Sequence, residues 1–362
     1  KKYGFFPAVS FAWNIKNEKS LRRVKWLNEL KPRLSWGVTG NDRIGTCQSM
    51  SLLSSTKLPI GDETYNTTTT STIGNSNLQW ETTNEVNLGL DFAAFKQRLK
   101  FSVEAYYKQT GNLLYSYRVP MTSGYSTVMA NVGNVENKGL EFEITGRIVD
   151  KKKFYWTSSL NMSYNQNKVL DLGGNDNVLM YYLGANVNQN ITYLKIGQPV
   201  GVIMGYQTEL YRDWNDVYSE DAVWMEESSV IPTRPGMLKY VDQNKDGRID
   251  ESDKVVLGST LPPFVGGFTN TFGYKGFTLT VFFNWQLGGK IVNANCSKLM
   301  QFAGVYNNSY SILVDSYRGA NPVLGDPGYT SAFYPTPSSY SAIQSISRQY
   351  SQNMIDKWNC RI

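Results

Sequence analysis

The sequence has no histidine, and only three of its 362 residues are cysteine. The first absence removes Ser-His-Asp and Cys-His nucleophile systems together with the usual zinc ligands. Cys47, Cys296 and Cys360 form no CxxC or other metal spacing, and an odd count leaves at least one of them unpaired within the chain. No apolar run reaches the length of a membrane-spanning helix, and the mean hydropathy is -0.37. A helical membrane protein is therefore excluded, whereas a β-barrel is not, because barrel strands conceal their hydrophobicity in alternation. No signal peptide is visible, and the chain opens on Lys1-Lys2 without Met. We expect an internal piece of a longer protein.

What is abundant points to strands and turns. The chain has 24 Tyr, 16 Phe, 9 Trp and 31 Gly, a composition that suits a membrane wall with aromatic girdles. A large soluble all-β protein has the same profile. The length suffices for two or three ordinary domains or for one large barrel segment. The net charge of +6 comes from scattered Lys and Arg. Their densest clusters, Leu21 to Lys25 and Lys151 to Lys153, sit in predicted turns, so a nucleic-acid groove is not expected.

The chain is organised around Asn84 to Gln109. Val86, Leu88, Leu90 and Phe92 alternate with Asn87, Gly89 and Asp91; after the turn at Ala94 to Arg98, Leu99, Phe101, Val103, Ala105 and Tyr107 alternate with Lys100, Ser102, Glu104, Tyr106 and Lys108. Each strand is thus apolar on one face and polar on the other. A soluble antiparallel sheet with one wet face alternates too, but strands of about ten residues match a tilted membrane crossing. Lys100, Glu104 and Lys108 all stand opposite the apolar row.

The same period predicts strands at Gly4 to Trp13, Lys31 to Thr39, Thr82 to Phe92, Leu99 to Gln109, Lys138 to Ile148, Phe154 to Asn165, Pro263 to Gly273 and Phe277 to Gln286. Asn14 to Leu30, with Leu21, Val24, Leu27 and Leu30 three apart, reads as a short amphipathic helix or turn. Links at Ala94 to Arg98, Val149 to Lys153 and Tyr274 to Gly276 are short. Asn41 to Glu81, Gln166 to Leu261 and Leu287 to Ile362 are long. Bacterial barrels keep short turns periplasmic and long loops outside, so the long links are expected to be extracellular.

Several stretches, in order, carry a family likeness: Phe6-Pro-Ala-Val-Ser-Phe-Ala-Trp13, Trp36-Gly-Val-Thr-Gly-Asn-Asp-Arg-Ile-Gly45, Trp80-Glu-Thr-Thr-Asn-Glu-Val-Asn-Leu-Gly-Leu-Asp91, Asn131-Val-Gly-Asn-Val-Glu-Asn-Lys-Gly-Leu-Glu141 and Gly258-Ser-Thr-Leu-Pro-Pro-Phe264. With these the chain resembles the barrel of the SusC/RagA-type TonB-dependent outer-membrane transporters. The resemblance implies an all-β fold, a transmembrane antiparallel β-barrel with long extracellular loops. About eight strands then form a fragment, roughly the middle of a barrel of roughly 22 strands. The family's carboxypeptidase-like domain, TonB box and plug have no counterpart in these residues, and the closing strands are expected beyond Ile362. The resemblance further implies import of an oligomeric nutrient, a glycan or, as in RagA-type members, an oligopeptide. It also implies a SusD-like surface lipoprotein as lid, TonB as energy source, and a dimer of transporter-lipoprotein pairs. The rival class is a secreted, calcium-stabilised all-β binding or adhesion protein.

The sharpest local motif is Asp242 to Asp253. Asp242, Asn244, Asp246, Asp250 and Asp253 place oxygens at positions 1, 3, 5, 9 and 12 of a twelve-residue loop, Gly247 holds position 6, and Arg248 offers its carbonyl from position 7. This is an EF-hand-like calcium loop with Asp in place of the final bidentate Glu. The other reading is an acidic Asx turn that binds nothing. No catalysis is expected: Glu141 and Glu143 share a strand face, as a carboxylate pair would, but charged lumens are ordinary in barrels. In the long loop, Tyr181, Tyr182, Tyr206, Tyr211, Trp214, Tyr218 and Trp224 lie among acids and amides. Aromatic faces of this kind suit a sugar or peptide ligand, and they serve equally well to pack the loop or a lid.

Overall fold

The computed structural model describes residues 3–42, 49–61, 63–119, 121–125, 127–174, 177–183, 189–211, 213–219 and 238–292. In chain order the first strands are β1 (Ala8–Ala12), β2 (Leu27–Asn41), β3 (Leu52–Ile60), β4 (Glu63–Thr72), β5 (Glu81–Ala94) and β6 (Leu99–Gly111). Next come β7 (Leu114–Arg118), β8 (Thr127–Asn131), β9 (Asn134–Lys151), β10 (Phe154–Asp171), β11 (Asn177–Leu183) and β12 (Gln189–Lys195). The last are β13 (Val202–Tyr206), β14 (Thr208–Leu210), β15 (Leu238–Tyr240), β16 (Lys254–Ser259), β17 (Phe264–Tyr274) and β18 (Phe277–Leu287). A single short α-helix, α1 (Trp214–Val217), is found among the described residues.

Two compact units divide the chain: one takes in Lys1–Asn177, Lys195–Pro199 and Pro263–Leu287, the other Val178–Leu194, Val200–Pro262 and Gly288–Ile362. The first unit is built on one antiparallel sheet of eight strands, ordered β1-β2-β5-β6-β9-β10-β17-β18. These are the eight strands that periodicity predicts, and each pairs with its neighbour along the chain.

Register lines up the alternation. Leu34 pairs with Leu88, Leu88 with Ala105, Ala105 with Leu140, Leu140 with Tyr164, and Tyr164 with Phe264. Two residues along, Leu90, Val103, Phe142 and Met162 make a second apolar row, and Phe101 meets Phe142 edge-on at 5.2 Å. Because side chains alternate with period two, the residues between these rows fall on the other face, where Arg33, Glu104, Glu141 and Ser163 lie side by side. Gly139 makes room on that face. A Cβ there would stand 2.6 Å from the Tyr106 ring, and without it the Tyr106 hydroxyl reaches Asn165 Oδ1 at 3.1 Å.

Turn chemistry closes the hairpins. Lys275 and Gly276 both have positive φ, 46° and 91°, the conformation of a two-residue turn that matches strand twist. Phe95, Lys96 and Gln97 also stand in the left-handed region, at 56°, 59° and 63°. Their cost is offset by hydrogen bonds from Phe95 N to Trp26 O at 2.7 Å and from Gln97 N to Asn28 Oδ1 at 3.1 Å.

Three expectations need correction. Of helix or turn, Asn14 to Leu30 takes the turn and no amphipathic helix: a 3-10 turn covers Ile15–Asn17, and Leu27 already belongs to β2. There Leu27 meets Ala94 of β5 and is 4% exposed, so sheet pairing overrides the three-residue spacing of leucines. The link Asn41 to Glu81 contains the β3-β4 hairpin, whose Thr67 to Thr70 run offers no apolar alternation to read. The segment from Gln166 to Leu261 is not a plain loop either. β10 runs on to Asp171, and a four-stranded sheet, β11-β12-β13-β16, follows with the two-stranded β14-β15. This second unit has its own core of Tyr193, Val202 and Met204, with Ile203 also buried.

Candidate functional site

The polar face of the large sheet carries a cross-strand ion network. Arg33 on β2 lies 2.9 Å through Nε from Asp91 Oδ2, and its guanidinium also donates to Glu104 Oε2 at 3.4 Å. Ser102 Oγ donates to Asp91 Oδ1 at 3.0 Å, and Asn87 Nδ2 donates to Glu104. Two carboxylates on adjacent strands repel unless a cation lies between them, and Arg33 supplies it. Periodicity assigns each residue to the polar face, but only register shows that they meet. Next to this network a cleft of about 470 Å³ is lined by Glu104, Glu141, Glu143, Asn161, Asn284 and Phe282. Glu104 faces Glu141 directly across the β6-β9 pair, and Glu141 and Glu143 make no ion pair with the described residues.

The aromatic residues of the second unit divide by burial. Tyr206 and Tyr211 are 4% and 2% exposed. Tyr206 packs edge-on against Tyr240 at 5.7 Å, and Lys239 Nζ stands 5.8 Å over the Tyr211 ring. Burial, with Asp216 nearby, pushes the Tyr211 phenol above its usual value. The expectation that these two rings face a ligand is thereby corrected: they are core. Trp214 is open, 54% exposed, and stacks on exposed Tyr218 at 6.0 Å. Tyr181 and Tyr182 occupy β11, and Trp224 lies outside the described residues.

The acidic segment folds as a chain of Asx turns. Asp242 accepts from Lys245 N and Gly247 N at 2.6 and 2.8 Å, Asn244 Oδ1 from Asp246 N at 3.0 Å, and Asp246 Oδ1 from Arg248 N at 2.9 Å. Gly247 takes φ 81°, which a side chain would strain. Asp250 caps the 3-10 turn Glu251–Asp253 by accepting from Ser252 N, and Asp253 answers by accepting from Asp250 N at 2.8 Å. The Ser252 hydroxyl and amide hold the Asp250 carboxyl below its usual value. Asp253 is fully buried and also accepts from Gln243 N at 2.9 Å. Among the described residues no three Asp, Glu, Cys or His side chains converge as a metal centre. Sequence reasoning missed Lys254, buried at 5%, whose Nζ sits 5.6 Å over the Tyr206 ring and 2.5 Å from Glu251. Nothing in its neighbourhood along the chain signals this, because the ring comes from β13.

The fold and its polar wall match known proteins. The family model described as TonB dependent receptor-like, beta-barrel covers residues 1–332. The chain belongs to this family. Proteins of the family reside in the outer membrane and are transporters, not enzymes, so the chain is a fragment of a transmembrane barrel, and the rival reading of a secreted adhesion protein is overturned. Among relatives, TonB-dependent receptor P3 of Formosa agariphila is 31% identical over 96% of this chain and 35% of its own length. TonB-dependent receptor SusC of Bacteroides thetaiotaomicron is 29% identical over 98% of this chain, again 35% of its own length. The chain thus spans about a third of the length of the curated relatives it matches. The structure of the RagAB peptide transporter superposes with a TM-score of 0.71 at 22% identity, over 93% of this chain and 34% of that one, a likeness of fold.

Within that fold the apolar rows are the lipid face. Leu88, Leu279 and Phe283 are 57%, 60% and 57% exposed. Exposure on this scale would be a liability in water and is the requirement in a bilayer.

Proposed function

We propose that the full-length protein imports an oligomeric nutrient, a glycan in the first reading, across the outer membrane. TonB supplies the energy through the family's N-terminal part, and a SusD-like lipoprotein caps the extracellular side, in a dimer of such pairs. The observation that carries this reading is the barrel wall itself. Its lipid face is apolar, and its inner face offers carboxylates, amides and the Phe282 ring, groups suited to a polar oligomer. Exposed Trp214 and Tyr218, in a segment that the alternation of short and long links assigns to the outside on our reading, add a stacked pair of rings of the kind a sugar ring packs against. A second reading, oligopeptide import, is favoured by Glu141 and Glu143, which suit basic side chains. Uptake of labelled oligosaccharides and oligopeptides by cells with and without the gene decides. Loss of oligosaccharide uptake supports the first reading, loss of peptide uptake alone supports the second, and loss of neither overturns both.

The acidic loop carries a separate proposal, one structural calcium held by Asp242, Asn244, Asp246, Asp250, Asp253 and the Arg248 carbonyl. In its support, the oxygens keep the required spacing and Asp242 already accepts from Gly247 N, as the first ligand of such a loop does. Binding has to draw the carboxylates inward. Asp242→Ala with Asp246→Ala should then raise protease cleavage between Gly236 and Lys254, as chelation should, while the membrane strands stay protected. Equal cleavage with and without chelator would remove the ion.

A further inference from the structure

Three short turns and the longer β1-β2 connection, residues 13–26, lie at one end of the large sheet, and the backbone stitches them together. Phe95 N donates to Trp26 O at 2.7 Å, Arg147 N to Arg98 O at 2.7 Å, and Lys275 N to Lys153 O at 3.1 Å. Three hydrogen bonds therefore join the start of β2, the β5-β6 and β9-β10 hairpins and the β17-β18 turn into one rim.

Charge on this rim is one-sided. The β1-β2 connection carries Lys16, Lys19, Arg22, Arg23 and Lys25; the next turn carries Lys96 and Arg98, the third Lys151, Lys152 and Lys153, and the last Lys275. Against these stand only Glu18 and Asp150. The chain as a whole is nearly balanced, with 36 basic and 30 acidic residues, so what lies outside the rim is net acidic. Lys16 is engaged in holding its own turn, donating to the Leu21 and Val24 carbonyls at 2.7 and 2.8 Å. The other ten cations are exposed and form no ion pair with the described residues. Lysines and arginines left unpaired in this density repel each other, and neutralising partners are not offered by the sheet.

Just inside the rim, on the lipid face, lies a band of rings. Trp26 stacks on Phe95 at 6.1 Å and sits 6.4 Å from Phe92, and Trp156 stacks on Phe272 at 5.6 Å. Tyr274 and Phe277 are 52% and 81% exposed. Aromatic belts mark the headgroup level of a bilayer, so cations one step further out stand level with lipid phosphates. Short turns face the periplasm in such barrels.

We propose that this rim binds the anionic phospholipids of the periplasmic leaflet, with phosphates bridging cations from neighbouring turns. The surface continues the lipid face already described, and its charge complements that leaflet. The anchor fixes the depth of the barrel on the side where no long loops hold it.

The test uses the full-length protein in detergent, with lipid retention counted by native mass spectrometry after incubation with phosphatidylglycerol or phosphatidylcholine. The protein should retain phosphatidylglycerol preferentially and lose the preference in high salt. Neutralising one turn at a time, with Arg22→Gln/Arg23→Gln/Lys25→Gln, Lys96→Gln/Arg98→Gln or Lys151→Gln/Lys152→Gln/Lys153→Gln, should weaken retention on the order of fivefold per contacting charge. Phosphatidylcholine binding and the heat-modifiable mobility of the folded barrel should not change. Lys57→Gln with Lys168→Gln, away from the rim, serves as control and should have no effect. Equal retention of both lipids by the unmodified protein, or undiminished phosphatidylglycerol retention in all three folded variants, would overturn the proposal. So would turns that cross-link to a periplasmic protein while lipid retention stays unchanged.

Discussion

The eight-stranded sheet and the unit inserted between β10 and β17 solve opposite problems with the same residue types. In the sheet, Leu34, Leu88, Leu140 and Phe283 point outward at 49%, 57%, 48% and 57% exposure, while on the polar face Arg33 pairs with Asp91 and Glu104. In the inserted unit, Val202, Ile203, Tyr206 and Tyr211 are all 4% exposed or less. The difference lies in the solvent each surface meets. Against lipid, outward apolar side chains are already in a favourable medium, and packing among themselves gains little. Against water, apolar area must be removed from solvent, at roughly 25 cal/mol per Å². One chain thus holds both a surface that is inside out and an ordinary core.

The largest effect that can break this comparison is a charge in the ordinary core. Ile203→Asp should cost more than about 4 kcal/mol, because a carboxylate there has no partner and no water. The inserted unit should become protease-sensitive, while the barrel keeps its heat-modifiable mobility. Simultaneous loss of both would mean that the two do not unfold separately.

A middle-sized effect sharpens the inside-out surface. Leu88→Lys, on the lipid face, should cost roughly 2 to 4 kcal/mol in urea unfolding from lipid vesicles. Asn87→Lys, one residue away and beside Glu104, should fall within about 0.5 kcal/mol. Equal costs would shift the register by one residue and reverse every assignment to lipid or lumen.

The smallest effect concerns the cap of the acidic loop. Asp250 has its carboxyl held below the usual 3.8, first by the Ser252 hydroxyl and then by its amide. A depressed carboxyl stabilises the fold in its charged form, so the contribution is complete above 3.8 and disappears as pH falls through the lower folded value. Pepsin cleavage between Asp242 and Lys254 should therefore rise below that pH. Asp250→Asn should flatten the profile, and an unchanged pH dependence in that variant would assign the transition to another acid.

Period-two alternation made the sheet legible because a strand that separates lipid from a polar lumen must commit every second residue. Val86 to Phe92 and Leu99 to Tyr107 could be assigned to faces without coordinates, and so could Phe277 to Trp285. The family motifs were legible for the same reason, being spread in order along those strands. The inserted unit was hard to read because its core is assembled from short strands far apart in the chain. Tyr206 and Tyr211 look like ligand-facing rings in sequence, and only β15 and β16 packing against them makes them core.

The sequence by itself determined the eight strands of the large sheet, the lipid face, the turn positions and the oxygen spacing of the acidic loop, since each is a property of neighbours along the chain. Tertiary structure decided the rest. Arg33 meets Asp91 and Glu104, Lys254 lies over a ring of β13, and four basic turns become one rim because strand register, a long-range quantity, brings together residues that no local pattern connects.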